Sequence, residues 1–282
     1  MAEASLYIGG QHLHLLGGDT VAEAMNIPGM KVFAVAPCPH DMEVRLDNAV
    51  PLPDCRWLHE FSIIDGQQKC RFGVDAEGNY YYTFGHHGLL RYREGEGVDM
   101  DLQGDPATLR FALWIAYTMM GVPLKAVPVH SSVVVCNGHA VMCLGESGTG
   151  KSTHTRLWLE NIAGTHLLND DSPIVSHVGD EVRVYGSPWS GKTPCFLQES
   201  FPIAGMLRLE QRKENTIRRL GIVESFVALQ PSCPPSLVKD EHCQDLLVDF
   251  ISDVIEHVPV YRMGCLPDAD AALLSHKTIL MC

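Results

Sequence analysis

The sequence is short of basic residues, which limits the partners that the chain can bind. It contains 21 Lys and Arg residues against 34 Asp and Glu, for a formal net charge of -13. A nucleic-acid backbone is bound by clustered Lys and Arg. The small basic clusters present, Arg212-Lys213 and Arg218-Arg219, stand among acidic residues. The composition therefore predicts no nucleic-acid partner.

Long apolar runs are also missing. The longest apolar stretch, Phe111 to Leu124, is too short to span a bilayer and predicts a buried helix. The N-terminal segment MAEASLYIGG lacks the basic start and the apolar run of a secretory signal. We therefore expect no membrane partner and a cytoplasmic location.

No Cys-x-x-Cys pair occurs, although the chain has 10 cysteines. Scattered cysteines without a secretory signal are typical of reduced thiols rather than of a disulfide framework. Four residues, Cys233, His242, Cys243 and Cys265, could be imagined as zinc ligands. Their spacing fits no zinc-finger pattern, so a zinc site is not predicted.

One stretch carries a clear chemical pattern. Gly145-Glu-Ser-Gly-Thr-Gly-Lys-Ser152 fits G-x-x-x-x-G-K-[ST], with an apolar strand, Ala140 to Leu144, before it and a helix from about Lys151 to Ile162 after it. Glycines let the chain fold tightly around a polyphosphate, so that several backbone N–H groups point inward. The N-terminus of the helix adds partial positive charge. The pattern predicts a site for a nucleoside triphosphate.

We expect the loop and the residue after it to bind this nucleotide. Lys151 would reach the β- and γ-phosphates, and the Ser152 hydroxyl would ligate Mg²⁺. We also expect Lys151 to be exposed without nucleotide. The alternative is a glycine-rich turn that enters a helix with a surface lysine. The predicted nucleotide-binding residues are Gly145, Glu146, Ser147, Gly148, Thr149, Gly150, Lys151, Ser152 and Thr153.

Two adjacent carboxylates, Asp170 and Asp171, follow a short predicted strand, His166 to Asn169. Ligands of open α/β sheets gather at the ends of such strands. Paired carboxylates there can hold Mg²⁺ or accept a proton from an attacking hydroxyl. The alternative is a helix cap or a solvated turn, where Asp is common.

Two further residues are weaker candidates. His130 is predicted on the strand that pairs with the one leading into the loop, where a lone histidine is more often structural. Lys192 ends a glycine-flanked loop, Gly186 to Lys192, and could touch phosphate or be exposed. Trp189 in that loop could face a ligand or fill the core.

Outside this region the sequence predicts a β-rich segment, residues 1–100, with a hairpin across Asp75 to Asn79. A helix then begins at Asp105-Pro106, because Asp caps free N–H groups and Pro suits the first helical position. We place a domain boundary just before it, which gives domains 1–100 and 101–282.

Taken together, His130, the Gly145–Ser152 loop and the pair Asp170-Asp171 resemble the catalytic domain of HPr kinase/phosphorylase. That family consists of bacterial serine kinases related to phosphoenolpyruvate carboxykinase. Its catalytic histidine lies at the same distance before the first loop glycine, and its aspartate pair also follows the first crossover. The resemblance covers about residues 125–195 and does not cover residues 1–100.

The resemblance implies an α/β fold, a P-loop kinase domain of the HPr kinase/carboxykinase type with a mixed sheet, behind a β-rich N-terminal region. It implies ATP and Mg²⁺ as cofactors and transfer of the γ-phosphate to a hydroxyl of an unidentified protein or small molecule. One aspartate would be the base and the other would help with metal. We name Ser152 and Asp171 as metal ligands and leave open which aspartate is the base. His130 would assist by contacting the acceptor phosphate or the aspartate. Apart from the resemblance, Lys192 is a candidate catalytic residue because its cation could neutralise charge on a transferring phosphoryl group.

The chain also departs from the family. Thr153 follows Ser152 where the family usually has Glu, and the Gly186–Lys192 loop replaces its second glycine-rich signature. HPr as the acceptor is therefore not predicted. The alternative function is a regulatory protein that binds nucleotide without transferring phosphate. Because the family forms hexamers, the resemblance also allows a homo-oligomer. A hydrolysing switch would need a later acidic strand end and a guanine-reading motif, and neither is found.

Overall fold

The computed structural model describes residues 1–63, 66, 68–103, 105–179, 181–191 and 193–281. The chain divides into two units. The first comprises Met1–Leu124 and Ser236–Leu246, and the second comprises Lys125–Pro235 and the residues from Leu247 onward. The first boundary thus falls between residues 124 and 125, not near residue 100 where the sequence predicted it.

The first unit is built on one large sheet. Its strand order is β3-β1-β2-β4-β9-β8-β7-β6-β5, in which β2, β4 and β9 are parallel neighbours and the other pairs are antiparallel. The strands are β1 (Ala2–Ile8), β2 (Gln11–Gly17), β3 (Ala34–Val35), β4 (Met42–Leu46), β5 (Arg56–Ile63), β6 (Gln68–Val74), β7 (Tyr80–Phe84), β8 (Gly88–Arg93) and β9 (Gly97–Leu102). The helices are α1 (Asp19–Asn26) and α2 (Pro106–Gly121).

Helix α2 explains the shifted boundary. Asp105 caps it by accepting hydrogen bonds from the backbone N–H groups of Ala107 and Thr108, as the sequence predicted. The helix is rich in apolar residues and is buried along most of its length. The Tyr117 hydroxyl donates to the carbonyl of Ile8 at 3.0 Å. The helix therefore belongs with the first sheet, although its sequence pattern only indicated that it packs against some sheet.

The second unit has a mixed sheet with helices. The sheet order is β10-β14-β15-β16-β12-β11-β13, with β18 beside β16 and β17 beside β18. The strands are β10 (Ala126–Pro128), β11 (Ser131–Cys136), β12 (His139–Leu144), β13 (Thr165–Asp171), β14 (Ile174–Val178), β15 (Glu181–Tyr185), β16 (Ser200–Gln211), β17 (Thr216–Arg219) and β18 (Val260–Cys265). The helices are α3 (Lys151–Asn161), α4 (Ile222–Leu229), α5 (Glu241–His257), whose first residues belong to the first unit, and α6 (Ala269–Leu280).

Helices α3 and α6 help to form the core of this unit. Trp158 of α3 is fully buried, and its indole N–H donates to the Ser275 hydroxyl of α6 at 2.9 Å. Apolar side chains of β11, β12, β16 and β18 complete the cluster. Because the burial of apolar area is the main stabilising contribution, this cluster fixes α3 against the sheet.

Strand register brings the motifs to one edge of the sheet. Strand β11 lies between β12 and β13 and is antiparallel to both, so β12 and β13 run parallel. Ser131, the first residue of β11, is paired with Leu144 on one side and with Asp171 on the other. The glycine-rich loop after Leu144 and the aspartate pair therefore leave the sheet beside each other.

His130 lies in the short gap between strands β10 and β11 rather than within a strand. The run of apolar residues from Val127 to Cys136 predicts one strand that includes His130, but β10 ends at Pro128 and β11 starts at Ser131. The His130 N–H donates to the carbonyl of Ser232 at 2.7 Å instead of joining the ladder with β12. His130 thus sits just before β11, at the same sheet edge as the aspartates.

The part of the chain that the structure describes contains no helix that is both long enough and apolar enough to cross a membrane.

Candidate functional site

The glycine-rich loop connects β12 to α3 in a conformation that demands glycine. Gly148 and Gly150 have φ values of 80° and 110°, in the left-handed region that other residues rarely adopt. Gly150 is the N-cap of α3 and has no side chain with which to cap it. The positive end of the helix is therefore not covered by a capping side chain of the loop, as an anion site requires.

Lys151 is buried, so the expectation that it is exposed without nucleotide is wrong. Only 8% of the residue is accessible. Its ammonium donates to the carbonyls of Gly145 and Glu146 at 2.8 and 3.2 Å, and it lies 2.9 Å from Nε2 of His130. Burial lowers the pKa of Lys151, and the nearby carboxylates oppose that shift.

Lys151, His130 and Asp171 form a chain of contacts. Nδ1 of His130 lies 3.1 Å from Oδ1 of Asp171. Because a protonated lysine can only donate, Nε2 of His130 accepts from Lys151, which leaves Nδ1 as the ring atom that carries a hydrogen. That hydrogen points to Asp171, so the lysine and the aspartate together set the tautomer of the histidine.

The two aspartates have different partners. Ser152 donates to Oδ1 of Asp170 at 2.9 Å, and Asp170 is only 7% exposed. Asp171 is more exposed and contacts His130. Successive strand residues point to opposite faces, which separates the two carboxylates. The structure thus brings Ser152 to Asp170, whereas the sequence interpretation had paired Ser152 with Asp171 as metal ligands.

Asp171 also has an unusual backbone. Its φ is 150°, a value that L-residues rarely adopt. The neighbouring loop, from Gly186 on, lies against this point: the Gly191 N–H donates to the carbonyl of Asp170 at 2.6 Å, and Ser190 forms a β-bridge with Asp171. Strain of this kind is often found at functional sites, where the surroundings hold it in place.

The structure describes two other residues of that loop, Trp189 and Gly191, for which the sequence left the role open or made no prediction. Trp189 is 2% exposed, so it fills the core rather than offering a surface to a ligand. Gly191 leaves no room for a side chain, because a Cβ there would lie 2.8 Å from the carbonyl oxygen of Asp170. Lys192 lies outside the described residues.

Two residues of β16 hold the glycine-rich loop and were missed in the sequence. Arg208 forms an ion pair with Glu146 at 2.7 Å, and Gln211 donates to the carbonyls of Gly148 and Thr149 at 3.2 and 3.4 Å. Strand β16 is parallel to β12, with Arg208 beside Leu144. No local sequence signal shows that a strand 64 residues further on returns to this position.

Among the described residues, no group of three or more His, Cys, Asp or Glu side chains could hold a metal ion. Mg²⁺ is usually held by one or two carboxylates together with waters and substrate phosphates. The Ser152 hydroxyl and the Asp170 carboxylate are oxygen donors of that kind, next to the loop. The pair fits a phosphate-bound Mg²⁺.

The second unit is thus a mixed α/β unit in which a glycine-rich loop meets a histidine and two carboxylates. No protein-family model matches the chain. HPr kinase/phosphorylase from Mycoplasmopsis pulmonis (strain UAB CTIP) is 32% identical over 95 residues, which are 32% of this chain and 28% of that protein. The sequence likeness confirms that the chain resembles HPr kinase/phosphorylase over this segment.

Among solved structures, the HPr(Ser) kinase/phosphatase from Coxiella burnetii matches 55% of this chain and 93% of that chain, with 12% identity and a TM-score of 0.32.

Proposed function

We propose that the chain is an ATP- and Mg²⁺-dependent phosphotransferase that moves the γ-phosphate to a hydroxyl of a protein or small molecule. The observation that carries this proposal is the meeting of two contact chains beside the loop. One joins Ser152 to Asp170, and the other joins Lys151 to His130 and Asp171. In this proposal the first would hold the metal ion and the second would accept the proton.

The loop would bind the phosphates. Its backbone N–H groups and the N-terminus of α3 stabilise negative charge. Lys151 already sits among oxygen acceptors, and a bound phosphate would replace the carbonyls of Gly145 and Glu146 as its partners. Thr153 lies in the first turn of α3, where the end of the triphosphate nearer the ribose would lie.

Ser152 and Asp170 would hold the magnesium ion that accompanies the nucleotide. Bound Mg²⁺ supplies positive charge that neutralises the phosphate oxygens during transfer. Asp170 suits this part because it is buried and already shares a hydrogen bond with Ser152.

Asp171 would be the base. It is the more exposed of the two carboxylates, and His130 holds it in place. The acceptor hydroxyl would give its proton to Asp171 while its oxygen bonds to the γ-phosphorus. The bond from that phosphorus to the β–γ bridging oxygen would break, and ADP would leave. Positioning and charge stabilisation, rather than covalent catalysis, carry this type of reaction.

The acceptor is proposed by class only. The relative from Mycoplasmopsis pulmonis is by its name an HPr kinase/phosphorylase. The loop from Gly186 to Gly191 lies against the aspartate pair, so it is placed to contact an acceptor that approaches Asp171. Because this loop differs in sequence from the family's signature, we propose that it selects an acceptor other than HPr.

The proposal is tested with the purified full chain, Mg²⁺ and γ-labelled ATP, with water, HPr and a cell extract that contains other proteins and small molecules as the offered acceptors. Asp171→Asn should lower the rate of label transfer or release by two to four orders of magnitude, as the loss of a base does, while the affinity for Mg-ATP stays unchanged. Asp170→Asn should instead raise the Mg²⁺ concentration required.

Asp249→Asn is the matched control, since Asp249 is an exposed carboxylate of α5 and should have no effect on either quantity. A wild-type chain that binds Mg-ATP and never turns it over would contradict transfer and would favour the regulatory alternative.

A further inference from the structure

Three arginines stand side by side on neighbouring strands of the second sheet. Arg208 of β16 is paired with Arg262 of β18, and Arg262 is paired in turn with Arg218 of β17. Residues that are directly paired across strands place their side chains on the same face of a sheet. The three side chains therefore form a row. It begins beside the glycine-rich loop, where Arg208 pairs with Glu146.

The arginine row lies on the face of the sheet that is turned away from α3. The apolar cluster that contains Trp158 of α3 also contains Leu207 and Met263, which are sequence neighbours of Arg208 and Arg262. Because successive residues of a strand point to opposite faces, the arginines point away from α3.

Asp171 shares this face with the arginine row. It is paired with Ser131, Ser131 is paired with Leu144, and Leu144 is paired with Arg208. The strand of Arg262, β18, is the fourth neighbour of the strand of Asp171. Neighbouring strands lie about 4.8 Å apart, so roughly 19 Å separates these two positions, the length of about six residues of extended chain.

A cavity of about 940 Å³ lies at the outer end of the row, beyond the last residues of β16 and β18. Its lining includes Arg218 and Arg262 of the row, together with Arg212 and Lys213 of the turn between β16 and β17. Gly264 leaves room for this arrangement, because a Cβ there would lie 2.7 Å from Cγ of Arg212. Four cations thus meet in one cavity of a chain whose formal net charge is -13.

The carboxylates that line the cavity do not neutralise these cations. Two of them, Glu210 and Glu214, face the four cations. Glu210 is shared, because its Oε2 accepts from Arg212 at 2.7 Å while its Oε1 lies 3.4 Å from Nε of Arg262. The lining therefore keeps an excess of positive charge.

Two of the four cations have donors to spare. Within the described part of the chain, Lys213 makes no hydrogen bond or ion pair, and the contact with Glu210 is the only one of the Arg262 guanidinium. Arg218, by contrast, is held by both carboxylate oxygens of Glu224. A guanidinium with unused N–H groups suits a carboxylate or a phosphate, which it can bind through two parallel hydrogen bonds.

The two glutamates limit the kind of anion that fits. A nucleic-acid backbone carries a charge at every step and would meet Glu210 and Glu214 as well as the cations. A protein segment can place carboxylates at Arg262 and Lys213 and neutral residues beside the glutamates. Attraction and repulsion together give such a surface its specificity. The charge pattern therefore complements an acidic protein segment.

We propose that this cavity binds an acidic segment of the phosphoryl acceptor, which is a protein, and that carboxylates of the segment contact Arg262 and Lys213. The hydroxyl that receives the phosphate lies about six residues from these carboxylates, the length of extended chain that reaches from β18 to Asp171. This inference rests on the proposed function, because it takes Asp171 as the base.

Binding is tested first and without nucleotide, so that the result does not depend on transfer. The probes are fluorescein-labelled peptides with one serine and a run of glutamates centred about six residues before or after it, the extended reach from β18 to Asp171. Matched peptides have glutamine in place of each glutamate. Fluorescence anisotropy with the full chain should show about tenfold tighter binding of a glutamate peptide, as expected for two ion pairs.

Variants locate the binding. Arg262→Gln combined with Lys213→Gln should abolish the preference for glutamate, and Lys213→Gln alone, at an exposed position, should reduce it about threefold. Arg156→Gln is the matched control, because Arg156 lies on α3, has a side chain that is 66% exposed and does not line the cavity. A single-stranded oligonucleotide, offered as a competitor, should not displace the peptide.

Transfer from γ-labelled ATP with Mg²⁺ then links the cavity to the reaction. The preferred glutamate peptide should be labelled with a KM about tenfold lower than that of its glutamine version. The double variant should raise this KM without changing kcat, because the cavity is remote from the reacting atoms. Glutamates placed next to the serine should give no advantage, since they cannot reach the cavity while the serine is at Asp171.

The outcomes separate this inference from the proposed function. Equal binding of glutamate and glutamine peptides overturns the acidic docking site, and so does full binding by the double variant or displacement by the oligonucleotide. Equal labelling of both peptides supports transfer and overturns docking. Glutamate-dependent binding that the double variant loses, without label transfer to any offered acceptor, leaves the docking site standing and overturns the proposed transfer.

Discussion

Asp170 and Asp171 are adjacent in sequence but have unequal surroundings. Asp170 is buried against Ser152, and Asp171 faces His130 with a strained backbone at a φ of 150°. A residue held in a rarely populated backbone region costs about 1–3 kcal/mol. The site therefore keeps Asp171 where it is at the expense of stability, which is consistent with a role in chemistry.

This strain gives a prediction for Asp171. Asp171→Ala and Asp171→Gly remove the same carboxylate, but only glycine adopts a φ of 150° without strain. Strain relief should exceed the extra unfolded-state entropy of glycine, so the Gly variant should be more stable than the Ala variant by about 1 kcal/mol. Urea unfolding of both variants measures the difference. A glycine variant no more stable than the alanine variant would show that the backbone at Asp171 is relaxed.

At the level of single residues, the sequence predicted which side chains lie at the site but not how they contact each other. The G-x-x-x-x-G-K-[ST] pattern predicted Lys151 at the N-terminus of a helix, where α3 has it. It did not show that Lys151 turns back to the carbonyls of Gly145 and Glu146 and is buried. Such contacts depend on the closure of the loop, which the local pattern does not determine.

At the level of helices and strands, the sequence predicted correctly those elements whose structure is determined by neighbouring residues. The helix predicted from Lys151 to Ile162 is α3. Asn137-Gly138, a pair typical of two-residue hairpin turns, joins β11 to β12. Strand β17 and helix α4 were not predicted, because their short sequences become ordered through packing on β18. The pairing of β16 with β12 could not be predicted from the sequence either, because it joins segments that are far apart along the chain.

The approach of the Gly186–Gly191 segment to β13 gives a prediction at this scale. A Cβ on Gly191 would lie 2.8 Å from the carbonyl oxygen of Asp170 and 3.1 Å from Cβ of Asp171, closer than side chains normally come. Gly191→Ala should therefore push the segment off the aspartate pair and lower the transfer rate at least tenfold, with Mg-ATP affinity nearly unchanged. Gly221→Ala is the control, because a Cβ there would meet nothing within 4 Å and the backbone φ of -76° suits alanine. Normal transfer by Gly191→Ala would show that the segment takes no part in catalysis.

At the level of the whole molecule, the chain does not divide where its composition changes. Residues Ser236–Leu246 belong to the first unit, although they follow most of the second unit in the sequence. A returning segment of this kind leaves no mark in periodicity or composition, so the sequence predicted a single boundary near residue 100. The helical spacing of apolar residues predicts a helix from Glu241 to His257, which is α5, but it does not show that the residues up to Leu246 belong to a different unit from the remainder.

The returning segment is held through Asp240, and this gives the last prediction. Asp240 accepts a hydrogen bond from the Tyr80 hydroxyl at 2.8 Å, and the N–H of Cys243 in the first turn of α5 donates to the same carboxylate oxygen at 3.3 Å. Tyr80 is itself buried. Asp240→Ala removes a helix cap, worth about 1 kcal/mol, and leaves a buried hydroxyl without its partner, at a cost of about 1–3 kcal/mol.

We therefore expect Asp240→Ala to lower the free energy of unfolding by about 2–3 kcal/mol, since the two losses act together. Asp240→Asn should lose much less, because its amide oxygen can accept both hydrogen bonds. Asp245→Ala, at an exposed position of the same helix, should change stability by no more than about 0.5 kcal/mol. Urea unfolding followed by tyrosine and tryptophan fluorescence measures all three variants. Equal stabilities of Asp240→Ala and Asp245→Ala would mean that the segment is anchored elsewhere, because the cap and the Tyr80 bond would then contribute nothing.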